Sequence, residues 1–121
     1  MQRCLDSIPQ RPDLQVVVAD DCSDPSIMDF NNPPGKDRED VEYVFCRKSG
    51  GGGHARNMGL EKARGRWIIF ADADDFFNPS LSEALDRHKE SSAELIVLGA
   101  DSVYCDNLTP AHRADHLTYF H

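Results

Sequence analysis

Two apolar runs that each end on clustered aspartates constrain this chain more than any other feature. Residues 14–19 are β-branched and nearly all apolar, and they pass straight into Asp20-Asp21-Cys22-Ser23-Asp24-Pro25. Residues 66–71 repeat the pattern and end in Asp72-Ala73-Asp74-Asp75. A run that is apolar on both faces belongs to a strand covered above and below, as in a parallel sheet. Residues 41–46 read as a further strand between these two, and residues 95–98 as a fourth. Helical signals fill the gaps. Leu5 and Ile8 read as the tail of a helix stopped by Pro9 and Pro12. A second helix is expected from about His54 to Arg64, with Gly65 placed to end it. Asn78 is placed to cap a third, with Pro79 as its first residue and Leu81, Ala84, Leu85 and His88 as one buried stripe. Alternating strands and helices imply an α/β fold with a mostly parallel sheet. In such sheets ligands bind beyond the carboxyl ends of the strands.

The length of 121 residues fits one domain, taken as residues 1–121. With 40% hydrophobic and 28% charged residues, the composition is that of a globular chain rather than a disordered one. No apolar run approaches the roughly 18 residues of a membrane helix, and Asp6 interrupts the amino terminus before a signal-peptide core can form. Against 13 basic residues stand 21 acidic ones, a net charge of −8 that argues against general nucleic-acid binding. There is a local exception. Arg47, Lys48, Arg56, Lys62, Arg64 and Arg66 crowd into one stretch whose only acid is Glu61, which suits either a small anion or a solvated helix face. Cys4, Cys22, Cys46 and Cys105 contain no C-x-x-C pair and read as the reduced thiols of a cytoplasmic protein.

In a parallel sheet both aspartate clusters emerge on the same edge. Asp72 and Asp74 are two apart, so in extended chain their side chains face the same way. Carboxylates held that close repel, and a hard divalent cation such as Mg²⁺ or Mn²⁺ relieves the repulsion. Aspartates before helices also serve as caps and turn formers, but two clusters with a basic, glycine-rich segment between them favour a site. That segment, Ser49-Gly50-Gly51-Gly52-Gly53-His54-Ala55-Arg56-Asn57, is not a P-loop, because no Gly-Lys-Ser/Thr follows. Nor is it the dinucleotide fingerprint, since Arg56 stands where the third glycine would be. Its glycines permit close backbone approach, and the helix start behind them offers unpaired N–H groups to an anion. Arg56 falls in the first helical turn, where a guanidinium can grip a diphosphate or a base edge. Ala55, Gly59 and Ala63 form a small-residue face that lets the helix sit close on the sheet.

In order and spacing, three blocks (residues 16–24, 53–60 and 65–75) resemble the nucleotide-binding half of family 2 glycosyltransferases, which have the GT-A fold. The likeness spans about residues 1–105 and implies a partial domain: a three-layer sheet with helices on both faces. It implies transfer of a sugar from a nucleoside diphosphate sugar, with a UDP-sugar as the foremost donor, to an acceptor by an inverting displacement assisted by Mg²⁺ or Mn²⁺. By resemblance the nucleoside contact falls on Asp20 or Asp21, and Arg56 helps hold the nucleotide. The D-x-D motif falls on Asp72, towards the ribose and metal, and Asp74, towards the metal; the neighbouring Asp75 can substitute.

Departures from the family pattern set further expectations. The family's opening strand, which lies between the strands ending at Asp20 and Asp72, has no counterpart, since the chain opens within the following helix. Its loss would leave backbone groups unpaired, at about 1–3 kcal/mol for each one buried. Self-association through the open sheet is therefore expected. The acceptor site and catalytic base are expected beyond His121, so that the chain alone would not turn over sugar. Localisation is read as cytoplasmic, free or peripheral to a membrane. A non-catalytic nucleotide-binding or interaction module, and a sugar nucleotidyltransferase, are the alternatives. His112, His116 and His121 have a helical metal spacing but read as a polar tail; Trp67, Phe76 and Phe77 read as core or pocket wall.

Overall fold

Arg38, in a stretch whose charges suggest an exposed loop, fastens the amino-terminal helix to the rest of the protein. Its Nη1 donates to the carbonyls of Leu5 (2.5 Å) and Ile8 (2.9 Å), while Nε and Nη2 bind Asp40. The computed structural model that shows this describes residues 1–103 and 110–114, with side chains through Ala100. Helix α1 (Gln2–Ser7) ends where the sequence suggests, with Ile8 extended at φ −84°, ψ 123°, because a residue before proline is pushed out of the helical region. Arg38 adds a donor at the carboxyl end of this helix, where the Leu5 carbonyl also accepts from Ile8 N and the Cys4 carbonyl from Ser7 Oγ. Lys36, Asp37 and Glu39 are exposed as expected, whereas the Arg38 side chain is only 9% exposed.

Strands β1 (Val16–Asp20) and β2 (Val41–Phe45) pair in parallel, Val16 opposite Val41 and Asp20 opposite Phe45. Helix α2 (Gly51–Leu60) follows, then α3 (Leu81–His88). The α/β class and the parallel pairing stand. Helix α2 lies on β1 through its small face: Ala55 is buried, and a methyl on Gly59 would meet Ala19 Cβ at 3.7 Å and Val17 Cγ1 at 3.9 Å. Its bounds differ from the expected 54–64. The glycines at 51–53 are helical, and the helix passes at Leu60 into tighter turns, Lys62 to Gly59 and Ala63 to Leu60, well before Gly65. Asn78 does not cap α3 as expected: its Oδ1 accepts from Ser80 N at 2.9 Å within a turn, and the helix starts at Leu81 with Ser80 at the N-cap position and no side-chain cap bond. Leu81 is buried and Ala84, Leu85 and His88 are half-buried, the stripe the spacing predicts.

The expected strand at 66–71 does not form. Its Ile68, Ile69 and Phe70 are 43%, 41% and 57% exposed, and the sheet containing β1 has two strands among the described residues. The physical reason is that a strand exists through its neighbour's ladder, and none flanks this segment; lying in water, it escapes the cost of burying unpaired amides.

The chain divides into two compact units, Met1–Lys89 and Glu90–His121, where the sequence reads as one partial domain. In the second unit, residues 95–98 also lack strand pairing, with Leu95 68% exposed. Strands β3 (Ala100–Val103) and β4 (Pro110–Ala114) instead pair antiparallel, with an irregularity between Ser102 and Val103. His112 therefore sits on a strand, where a helical i, i+4 pairing does not apply; His116 and His121 lie outside the described residues.

Candidate nucleotide-binding site

The site is assembled by the turn that closes β1. Asp20, only 5% exposed, ends the strand and folds back, its Oδ2 accepting from Ser23 N at 3.0 Å, while its carbonyl accepts from Cys46 N at 2.9 Å. Cys22 adopts φ +61°, an uncommon left-handed conformation for a residue with a side chain. This reversal directs Asp21 to the start of α2. There its carboxylate accepts from Gly50 N (2.9 Å), Gly51 N (2.8 Å) and the Ser49 hydroxyl (2.9 Å). These bonds, the Gly50 amide foremost, hold the Asp21 carboxyl below its ordinary range, with partial desolvation opposing them. Gly51 itself has φ +81°, which glycine adopts without strain. The helix thus begins among the glycines because a carboxylate from a distant turn caps it.

Arg56 lies one turn further along α2. Its Nη1 would sit 3.4 Å from a methyl on Gly52, so the side chain runs back towards the helix start. Its Nη2 reaches the Asp72 carboxylate at 2.5 Å. Both partners are exposed, at 47% and 61%, and an exposed pair of this kind is easily exchanged for another ligand. Asp21 at the helix start and the Arg56–Asp72 pair one turn on are thus both placed on the first turns of α2. Asp20 stands apart from them, its carboxylate committed to the turn.

Residues 72–75 depart from the extended form. Asp75 N donates to Asp72 O at 3.0 Å, closing a turn, so the argument that Asp72 and Asp74 face the same way by strand alternation does not apply. Two residues of α1 fasten this turn. Arg3 Nη2 donates to the Asp74 carbonyl at 3.3 Å and lies 4.6 Å over the Phe76 ring, and Ser7 Oγ accepts from Phe77 N at 2.8 Å. Sequence reasoning missed Arg3, Ser7, Arg38 and Ser49. The first three act across 30 or more residues of chain and leave no local pattern; Ser49, flanking the glycine run, carried a faint signal as a capping-type residue. Trp67 is half-buried and donates through Nε1 to Lys89 O at 3.0 Å, a structural role consistent with pocket wall or core.

The carboxylates offer hard oxygen donors, suited to Mg²⁺ or Mn²⁺ rather than to softer metals. Among the described residues, no three His, Cys, Asp or Glu side chains gather closely enough to hold a cation on their own. Such a set fits a Mg²⁺-like ion whose shell is completed by ligand phosphates and water, since Mg²⁺ is commonly bound through one or two carboxylates plus phosphates.

Comparison with known proteins decides the family. The profile described as "Glycosyl transferase family 2" matches residues 1–120. The chain belongs to glycosyl transferase family 2. A glycosyltransferase of uncharacterised role from Haemophilus influenzae (strain ATCC 51907 / DSM 11121 / KW20 / Rd) is 32% identical over 123 residues, covering 95% of this chain and 48% of the relative. The succinoglycan biosynthesis protein ExoO of Rhizobium meliloti (strain 1021) is 34% identical over 97 residues, covering 77% of this chain and 26% of its own length. A poly(ribitol-phosphate) beta-glucosyltransferase of Bacillus spizizenii (strain ATCC 23059 / NRRL B-14472 / W23) is 34% identical over 99 residues, covering 78% and 15%. The chain thus spans about half the length, or less, of these relatives. No solved structure matches it. Among the described residues, no helix is long and apolar enough to cross a membrane.

Proposed function

We propose that this chain is the donor-binding portion of a family 2 transferase that moves a sugar from a nucleoside diphosphate sugar, a UDP-sugar foremost, to an acceptor. The observation that carries this reading is that Asp21 caps the start of α2 while Arg56, one turn on, pairs with Asp72. Arg56 exchanges its exposed partner Asp72 for the donor's phosphates, and the freed Asp72 turns to the ribose. Asp21 contacts the nucleoside, and its hold on Gly50 and Gly51 keeps the loop open in a defined shape. Asp20, buried in the turn, supports Asp21 from behind. Asp74, with Asp72, holds Mg²⁺ or Mn²⁺ arriving with the donor. When bound, the ion neutralises charge developing on the diphosphate leaving group.

The displacement is inverting, and the base that takes the acceptor's proton belongs to the portion of the relatives that this chain does not span. The names of relatives, which concern succinoglycan and poly(ribitol-phosphate), support a polysaccharide or polyol-phosphate polymer as the class of acceptor.

Calorimetry with UDP and Mn²⁺ tests this. Wild-type chain binds with metal dependence, and Asp74→Ala and Arg56→Ala each weaken binding by roughly tenfold or more. Equal heats from wild type and both variants would sink the assignment. A second reading, that of an interaction module, is favoured by the consecutive exposed apolar side chains of Ile68, Ile69 and Phe70.

A further inference from the structure

The same turn that positions Asp21 brings two cysteines together. Cys22 Sγ lies 2.7 Å from the Cys46 carbonyl oxygen, and Cys46 N in turn binds the Asp20 carbonyl at 2.9 Å. Asp20 and Phe45 are register partners, so Cys46 is the first residue beyond one strand end and Cys22 the second beyond the other. The 2.7 Å approach of Cys22 Sγ to the Cys46 carbonyl brings the two backbones close enough for a disulfide to be tested between them. The two thiols differ in access: Cys22 is exposed, Cys46 is 5% exposed, and both are free. We propose that Cys22 and Cys46 form a reversible disulfide that clips the turn after β1 to the loop after β2.

The chemistry balances as thiol–disulfide exchange with a small-molecule disulfide as oxidant. The Cys22 thiolate attacks one sulfur of the small disulfide; the old S–S bond breaks and one small thiolate leaves. The Cys46 thiolate then attacks Cys22 Sγ in the mixed disulfide, expelling the second small thiolate. Two protein thiols lose two protons and two electrons, and the oxidant becomes two thiols. The order follows from exposure. Burial, with Asp21, Cys22 and Asp20 nearby, pushes the Cys46 thiol up, so it serves as the resolving partner rather than the first nucleophile.

The consequence is local. Ser49 and Gly50, which lie between Cys46 and α2, and Gly51, the first residue of α2, are the groups that hold the Asp21 carboxylate. A bond from Cys22 to Cys46 fixes both ends of that contact, so oxidation stiffens the loops around the α2 start and reduction releases them.

The test uses the whole chain and glutathione disulfide, followed by alkylation of remaining thiols and peptide mapping. The expected product carries a peptide pair linked through Cys22 and Cys46, lighter by two hydrogens, with a melting temperature several degrees above the reduced protein and returned by dithiothreitol. Cys46→Ala should stop the reaction at a stable glutathione adduct on Cys22, and Cys22→Ser should leave Cys46 an alkylatable thiol. Three outcomes in the wild type, which needs no variant to fold, would each overturn the proposal: a persistent adduct on Cys22 with Cys46 alkylatable, a link to Cys4 or Cys105 instead, or no reaction at Cys22. None of these readouts depends on nucleotide binding, so this proposal and the donor-site reading fail separately.

Discussion

Gly35 and Gly59 show how far one methyl group can differ in effect. Gly35 is buried at φ +76°, and a Cβ there would come within 2.8 Å of Leu5 Cδ1, the least exposed side chain of α1 at 3%. Gly35→Ala combines a left-handed backbone with a clash, and should destabilise the protein by about 1–3 kcal/mol in chemical denaturation. Gly59 sits inside α2 with ordinary van der Waals space towards Val17 and Ala19. Gly59→Ala should be neutral or stabilise by about 0.5–1 kcal/mol, since glycine is a poor helix residue. The opposite ranking in a urea titration would refute the packing of α2 on β1. From sequence alone Gly35 is one more turn glycine after two prolines, and nothing local announces Leu5 across from it; Gly59, by contrast, was legible as part of a small-residue face.

At the scale of elements, charge fastens what apolar packing leaves loose. Arg11 joins the loop before β1 to α3, donating to Ser82 O (3.1 Å), Ser82 Oγ (2.8 Å), Asp13 (2.8 Å) and Asp86 (2.6 Å). The hydrogen bond from Arg11 holds the Asp13 carboxyl down to about 2, and Asp86 is lowered by the same guanidinium. A carboxyl depressed in the folded state contributes stability that is present above its unfolded value, near 3.8, and lost as pH falls towards 2. Melting temperature should therefore drop between pH 4 and pH 2, with a shallower drop in Arg11→Met. Parallel curves for the two proteins would contradict the role given to Arg11. Asp21 acts in the same direction on α2, as its depressed carboxyl shows. Asp21→Ala should fray the start of that helix, read as faster amide exchange at Gly51 to Gly53, whereas Asp21→Asn keeps an oxygen acceptor and should retain more protection.

For the whole molecule, the sparse core is the governing fact. The buried apolar residues are Cys4, Leu5, Val16, Met28, Val44, Cys46, Ala55 and Leu81, and no large side chain is fully buried among the described residues. Meanwhile Ile68, Ile69 and Phe70 are exposed in a row, and the sheet containing β1 has two strands among the described residues. Exposed apolar chain and open strand edges each invite association with another chain. Sedimentation should show concentration-dependent self-association, reduced by Ile69→Lys and Phe70→Lys; a monomer at every concentration would argue against it. The sequence by itself determined the features that depend on neighbours along the chain. Among these are the apolar runs of β1 and β2, the stripe on α3, the helix stop before Pro9, the family blocks and the acids at strand ends. Tertiary structure alone decided that Asp21, 29 and 30 residues before Gly50 and Gly51, sets where α2 begins, that Arg56 pairs with Asp72, and that Asp20 is committed to a turn. It also decided that residues 66–71, as strand-like in composition as β1, form no strand. Composition makes a segment able to pair, but a strand needs a second backbone beside it to take its hydrogen bonds, and that is settled in three dimensions.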